Sequence, residues 1–276
     1  MAGLFARVLF ATDLSDYSNK LLVGIGEMRP HGLGEVMLLH AVGEDEGTDS
    51  FFDAGKQAKE ELAAYVERLA GLGIRAGFSV KEGEPGDVIA AAAEDWDATL
   101  ILAGSHGHGF IKGLLVGSVA EDIVEKATRP VLVLRLGKPE SHRGVFEKVL
   151  IPLDFSDGSI AVFEALKGLG GGVLGHAVLA HVVEGGSGEE ERRALVESSE
   201  SRLGIMAGEM VAAGIRAAVH VHSGHAVKDI EDIAAEEGAT LIAVCACKKE
   251  GIKEFVLGGT AKRVLVHARV SVLFFP

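Results

Sequence analysis

Two copies of one pattern fill this chain of 276 residues. Phe5, Val8, Leu9, Asp13, Ser15, Asp16 and Ser18 return as Phe146, Val149, Leu150, Asp154, Ser156, Asp157 and Ser159, an offset of 154 − 13 = 141 residues. At the same offset, His40 returns as His181 and Gly73-Ile74-Arg75-Ala76 as Gly214-Ile215-Arg216-Ala217. Gly83 becomes Gly224, Ala98-Thr99-Leu100-Ile101 becomes Ala239-Thr240-Leu241-Ile242, and Gly117 and Ala120 become Gly258 and Ala261. Solenoid repeats have periods of about 20–50 residues, so a period this long is a duplicated domain. Leu136 to Glu147, with Gly137, Pro139 and Gly144, has the chemistry of a linker. The expected domains are 1–140 and 141–276.

Each copy alternates strand and helix. Val8 to Ala11 is an apolar run that ends at Thr12 and the carboxylate of Asp13. Ser15 is placed to cap a helix with an apolar face at Leu21, Leu22, Ile25 and Met28, ended by Pro30, Gly32 and Gly34. Glu35 to Val42 reads as a second strand, followed by an acidic loop and a helix with its face at Ala58, Leu62, Tyr65 and Leu69. Ile74 to Val80 is the third strand. Gly83-Glu84-Pro85 is a turn, and Val88, Ile89, Ala92 and Trp96 mark the third helix. Thr99 to Ala103 is the fourth strand, and Pro130 to Arg135 the fifth. Five strands alternating with four helices predict an α/β fold of two tandem Rossmann-like domains, each a parallel sheet with helices on both faces. Right-handed crossovers gather all strand C-termini on one edge. Asp13 and Gly104 then flank a topological switch point, where such sheets bind ligands.

The chemistry concentrates in Leu102 to Ala120, LAGSHGHGFIKGLLVGSVA. A strand breaks into Gly104, Gly107 and Gly109, and a helix begins at Gly117-Ser118, where the Ser118 hydroxyl has two open roles, capping the helix or donating to a phosphate. It runs to about Ala127 with Ile123 and Val124 inward. Strand, glycine loop and helix N-terminus together present bare N–H groups and a positive helix end to an anion. The spacing Gly104-x2-Gly107-x9-Gly117-Ser118 is not a Walker A loop. It is not a dinucleotide fingerprint either, since Lys112 stands where the third glycine belongs.

Composition sets outer limits. Hydrophobic content of 48% and charged content of 24% fit a packed protein. A net charge of −13 argues against nucleic acid and anionic membrane as partners. No apolar run approaches the ~18 residues of a membrane span, and the start lacks the marks of a signal peptide. Two cysteines, Cys245 and Cys247, make no disulfide framework, so a reducing cytoplasm is expected. Neither they nor His106 and His108 have the spacing of a metal site. His40 and His181 read as satisfied residues at the core edge. No general base is visible, and catalytic residues are not assigned.

Asp13, Gly83-x-Pro85 and the glycine motif together resemble the universal stress protein family in its tandem two-domain form, over essentially the whole chain. The resemblance implies a five-stranded sheet in the order 3-2-1-4-5 and an adenine nucleotide as ligand, ATP, ADP or AMP. Ala11, Thr12 and Asp13 would line the nucleoside side, with Asp13 near the ribose or a phosphate-bound Mg²⁺. Ala41 would meet the adenine through its backbone, and Ala103 and Gly104 would lie under the ribose. His106, Gly107, Gly117, Ser118 and Val119 would hold the phosphates. The family also implies pairing of last strands, with Pro130–Arg135 beside Val270–Phe275 as an intrachain pseudo-dimer, further homodimerisation remaining open. The implied role is a stress-response module that changes affinity for a protein partner with nucleotide occupancy.

The second half departs from the motif. Gly104, Ser105 and Gly107 become Cys245, Ala246 and Lys248, and Ser118 becomes Gly259. A side chain at a glycine position blocks a phosphate or forbids a positive φ, so one competent site, in the first half, is expected. Two alternatives stand beside nucleotide binding: a slow Mg-dependent ATPase in which Asp13 orients water, and a scaffold whose sheet edges bind a protein and no nucleotide.

Overall fold

The computed structural model describes residues 3–43, 48–105, 116–135, 144–185, 188–246 and 259–276. Contacts divide the chain into two compact units, made in the main of the residues up to Leu136 and of those from Gly137 on.

The N-terminal unit runs β1 (Arg7–Ala11), α1 (Asp16–Glu27), β2 (Glu35–Val42), α2 (Thr48–Gly71), β3 (Arg75–Glu82), α3 (Pro85–Asp95), β4 (Leu100–Gly104), α4 (Ser118–Lys126) and β5 (Val131–Leu134). Its strands lie in the order β3-β2-β1-β4-β5 and all pairs are parallel. This is the order that the family resemblance implies, and the sequence pattern suits it. Strands covered on both faces need unbroken apolar runs, and Val8 to Phe10, Leu100 to Ala103 and Val131 to Leu134 are all buried. With right-handed crossovers, α1 and α2 cover one face and α3 and α4 the other. A hydrogen bond from Tyr65 of α2 to Asn19 of α1 and the packing of α3 on α4 agree with that division.

The local signals work as read. The Ser15 hydroxyl accepts from the N–H of Ser18 at 3.2 Å and caps α1. Thr99 clamps the start of β4 to that of β1, accepting from Arg7 N–H at 2.9 Å and donating to the Leu4 carbonyl at 2.9 Å. Ala58, Leu62 and Leu69 bury the inner stripe of α2, with Ile123 and Val124 doing the same on α4.

The C-terminal unit repeats the plan with β6 (Lys148–Pro152), α5 (Asp157–Lys167), β7 (His176–Val183), α6 (Glu189–Ala212), β8 (Arg216–Ser223), α7 (Ala226–Glu237), β9 (Leu241–Cys245), α8 (Gly259–His267) and β10 (Ser271–Phe275). Its order is β8-β7-β6-β9-β10, again parallel. Ser156 caps α5 as Ser15 caps α1, and Thr240 clamps Lys148 as Thr99 clamps Arg7. Glu189 to Glu191 form the first turn of α6, where they complement the positive helix end.

Candidate functional site

In the N-terminal unit the chain leaves β1 for one face of the sheet and leaves β4 for the other, which opens a crevice at the C-terminal edge between them. Register fixes what lines it. Ala11 pairs Leu39 on one side and Ala103 on the other, so Thr12 and Asp13 emerge level with the end of β4. Thr12 N–H donates to the Leu39 carbonyl at 2.9 Å, and the Thr12 carbonyl contacts His40 Nδ1 at 2.9 Å. His40 is therefore satisfied within the fold, and Ala41 follows it at the end of β2. The Gly117 N–H donates to the Ser105 carbonyl at 2.8 Å, tying the start of α4 to the exit of β4. Ala11, Thr12, Asp13, Ala41, Ala103, Gly104, Gly117, Ser118 and Val119 thus all belong to one sheet edge. His106 and Gly107, with His108 and Lys112, lie outside the described residues.

Asp13 does more structural work than its place at a strand end suggests. Its Oδ1 accepts from Ser15 N–H at 3.1 Å, from the Ser15 hydroxyl at 2.7 Å and from the Ser18 hydroxyl at 2.6 Å. These bonds hold the turn into α1 while Leu14 sits at φ +63, a left-handed conformation that costs a non-glycine residue on the order of 1–3 kcal/mol. No sequence signal marks that strain, because leucine is not a turn residue.

At α4 one of the two roles open to Ser118 falls away. Ser118 is not the cap. Gly117 occupies that position and supplies no side-chain cap bond, and Ser118 is the first helical residue, exposed beside the 46% exposed Val119. A serine placed after the cap cannot accept from the turn, so its hydroxyl points to other duty. Nor does a positive φ explain Gly104 or Gly117. Gly117 has φ −80 and ψ 152, and Gly104 is a strand residue absent from the positive-φ set. A Cβ on Gly117 would come no nearer than 3.7 Å to a described atom, the Ser105 carbonyl oxygen. Among the described residues, packing does not demand glycine there.

A cluster behind the crevice escaped sequence reasoning. The fully buried Ser105 hydroxyl meets the Tyr17 hydroxyl at 2.8 Å, and Tyr17 also reaches the Leu134 carbonyl at 3.4 Å. Arg135 follows at the end of β5, where burial lowers its pKa and the nearby Tyr17 works in the opposite direction. The available signal was a lapse in the repeat, since Tyr17 and Ser105 correspond to Gly158 and Ala246.

The second copy keeps the β-strand exit. Asp154 Oδ1 accepts from Ser156 N–H at 3.0 Å and from the Ser156 hydroxyl at 2.5 Å, and Phe155 repeats the strain at φ +63. Burial raises the Asp154 pKa, but hydrogen bonds from the Ser156 and Ser159 hydroxyls and from backbone N–H groups outweigh it, and the net shift is downward. His181 Nδ1 contacts the Leu153 carbonyl at 2.6 Å, as its counterpart does. Cys245 ends β9 where Gly104 ends β4 and is half-buried. Cys247, Lys248 and Gly258 lie outside the described residues. Among the described residues, no three His, Cys, Asp or Glu side chains gather as metal ligands would, and no helix is long and apolar enough to cross a membrane.

Comparison with known proteins bears on both halves. The model of the universal stress protein family matches residues 4–135 and again 146–276. A universal stress protein of Methanocaldococcus jannaschii is 26% identical over 158 residues, which is 49% of this chain and 98% of that protein. One from Thermus aquaticus is 30% identical over 138 residues, 48% of this chain and all of its own length. The crystal structure of a universal stress protein from Archaeoglobus fulgidus covers 98% of both chains at 26% identity, with a TM-score of 0.79.

Proposed function

This chain belongs to the universal stress protein family in both of its halves, and on that premise we propose that its N-terminal unit binds an adenine nucleotide and signals by occupancy. Gly117 carries the reading. Its backbone conformation is open to any residue and its Cβ position is clear of described atoms, so the glycine makes sense as room for a bound group against the first turn of α4. That turn starts at a glycine, which supplies no side-chain cap, and carries an exposed serine. Together they suit a phosphate, with charge-assisted N–H bonds and about 0.3–1 kcal/mol from the helix end. Gly117, Ser118 and Val119, with His106 and Gly107, would hold the phosphates, and Ala103 and Gly104 the ribose. Ala11, Thr12 and Asp13 would line the nucleoside, and Ala41 would meet the base. A phosphate-bound Mg²⁺ would sit on the Asp13 side.

Retention suits this site better than hydrolysis. Asp13 Oδ1 already takes three hydrogen bonds from its own turn, which ties the carboxylate to the fold and lowers its value as a base. The protein partner that reads occupancy is a further part of the proposal. Denaturing purified protein and identifying what it releases tests the reading, together with ATP titration of stripped protein. An adenylate in the extract, and an affinity at least tenfold weaker in Gly117→Val, are expected. An empty extract and an affinity indifferent to that substitution would refute it.

A further inference from the structure

The groove between the third and fourth helices of each unit is built from matching positions with inverted charge. In the N-terminal unit, Lys126 Nζ sits 2.9 Å from Asp87 and 3.0 Å from Asp122. Asp122 lies so close to α3 that a Cβ on Gly86 would meet its Oδ2 at 1.9 Å. Two carboxylates and one lysine thus close this groove. At 141 residues further on, Asp87, Asp122, Lys126 and Gly86 become Lys228, Arg263, His267 and Val227. The acid–base–acid triplet is now lysine, arginine and histidine, and no short cross-groove contact forms.

A cavity of about 610 Å³ opens there. Its walls bring together Lys228 and His225 at the start of α7 and Thr260, Arg263 and His267 along α8. Carboxylates are present too, but they do not neutralise it from within. Glu184 is engaged at the start of α7, accepting from Ala226 N–H at 2.9 Å. Lys228 leans outward to the half-exposed Asp232 at 2.7 Å. Glu231 keeps Oε1 buried with no hydrogen-bond partner among the described residues. Arg263 is exposed and pairs with no described carboxylate. Among the described residues, a guanidinium on α8 without a carboxylate partner and a buried acceptor on α7 without a donor therefore line the same groove. A molecule with anionic oxygens and a hydroxyl would answer both, and the volume is that of a small-ligand pocket.

We infer that this groove is a second binding site, for a small phosphorylated molecule, in the unit whose nucleotide motif has decayed. It shares only Gly259 and Thr260, in the first turn of α8, with the positions that correspond to the N-terminal crevice. The inference does not rest on the nucleotide reading. The test titrates inorganic pyrophosphate into the full chain carrying Gly117→Val, so that the N-terminal crevice does not contribute, while the His225 and His267 imidazole resonances are followed. Saturable binding of one equivalent, with both imidazoles shifting, is expected. Arg263→Asp, which installs the residue type of the first unit, should weaken it at least tenfold, and Lys228→Asp should do the same if the first variant melts early. Absence of saturable binding, or binding that both substitutions leave unchanged, would overturn the inference, whatever ATP does at Gly117.

Discussion

The two halves share a scaffold and differ in what fills it. The strand exits share their main bonds: Asp13 with Ser15 and Asp154 with Ser156, each followed by a residue at φ +63. What differs is the surroundings. Behind the first exit lies the Tyr17–Ser105 pair, and behind the second there are only Gly158 and Ala246. Under the strand starts, Arg7 stacks 4.7 Å over Trp96 and pairs Glu35 at 3.1 Å. At the matching positions Lys148 instead meets Glu237 at 2.9 Å, which also holds His220 at 2.8 Å. Duplication preserved bonds that shape the backbone and released side chains that line the sheet edge or meet neighbouring helices. The carboxylate at the end of the first strand is therefore a weaker mark of function than the glycines and the buried hydroxyl pair.

The largest effect should come from forcing the first groove to resemble the second. Gly86→Val drives a side chain into Asp122 and should cost about 2 kcal/mol, within the range for overpacking. Adding Asp122→Arg should recover a good part of that, while Val227→Gly in the other unit should cost no more than about 1 kcal/mol. Urea titrations would show it, and a neutral Gly86→Val would mean that the two grooves are not different in kind.

Next come the buried hydroxyls. Tyr17→Phe or Ser105→Ala should each cost about 1 kcal/mol, because each removes the part-buried bond between the two hydroxyls. The double variant should cost less than the sum of the two. Additive losses would mean that the pair does not act as one contact.

A third difference is in acid. Hydrogen bonds from Lys148 and then from His220 hold the Glu237 pKa down, against the effect of burial, and Asp154 is also lowered. A carboxylate whose folded pKa lies below its unfolded one, normally about 4, stabilises above that range and loses its contribution as pH falls through the folded value. The C-terminal unit should therefore weaken first below about pH 5, and Glu237→Gln should flatten the decline. Trp96, the single tryptophan, reports the N-terminal unit by fluorescence, while circular dichroism reports both. Coincident acid transitions in the wild-type chain would remove the distinction.

The smallest effect concerns the strained turns. Leu14→Asn should be stabilising by up to about 0.5 kcal/mol, since asparagine accepts the left-handed region more readily. Phe155→Asn should destabilise instead, because that ring packs on His181 at 4.7 Å and under Arg202 at 3.7 Å. Equal responses would show that the strain alone governs both sites.

Much of this was legible in advance, for physical reasons. Apolar runs such as Val131 to Leu134 and caps such as Ser15 are local signals with one dominant solution, and the gapless repeat let each half confirm the other. Strand order followed from crossover handedness and the resemblance. What the sequence did not show was geometry dependent on a single ångström. Ser118 and Gly117 are adjacent, and which of them caps α4 is decided by where helical dihedrals begin. The strain at Leu14 leaves no compositional trace. The cationic groove of the second unit was visible only as scattered residues on two helices until the fold brought Lys228, Arg263 and His267 together.

The central claim is that polyanion binding at the sheet edge survives only in the first half. Calorimetric titration of ATP into nucleotide-free protein measures it most directly. One equivalent per chain is predicted, abolished by Gly117→Val and untouched by Asp154→Ala and Arg263→Asp. A second equivalent that Arg263→Asp does not remove, or a single one that survives Gly117→Val, would contradict it.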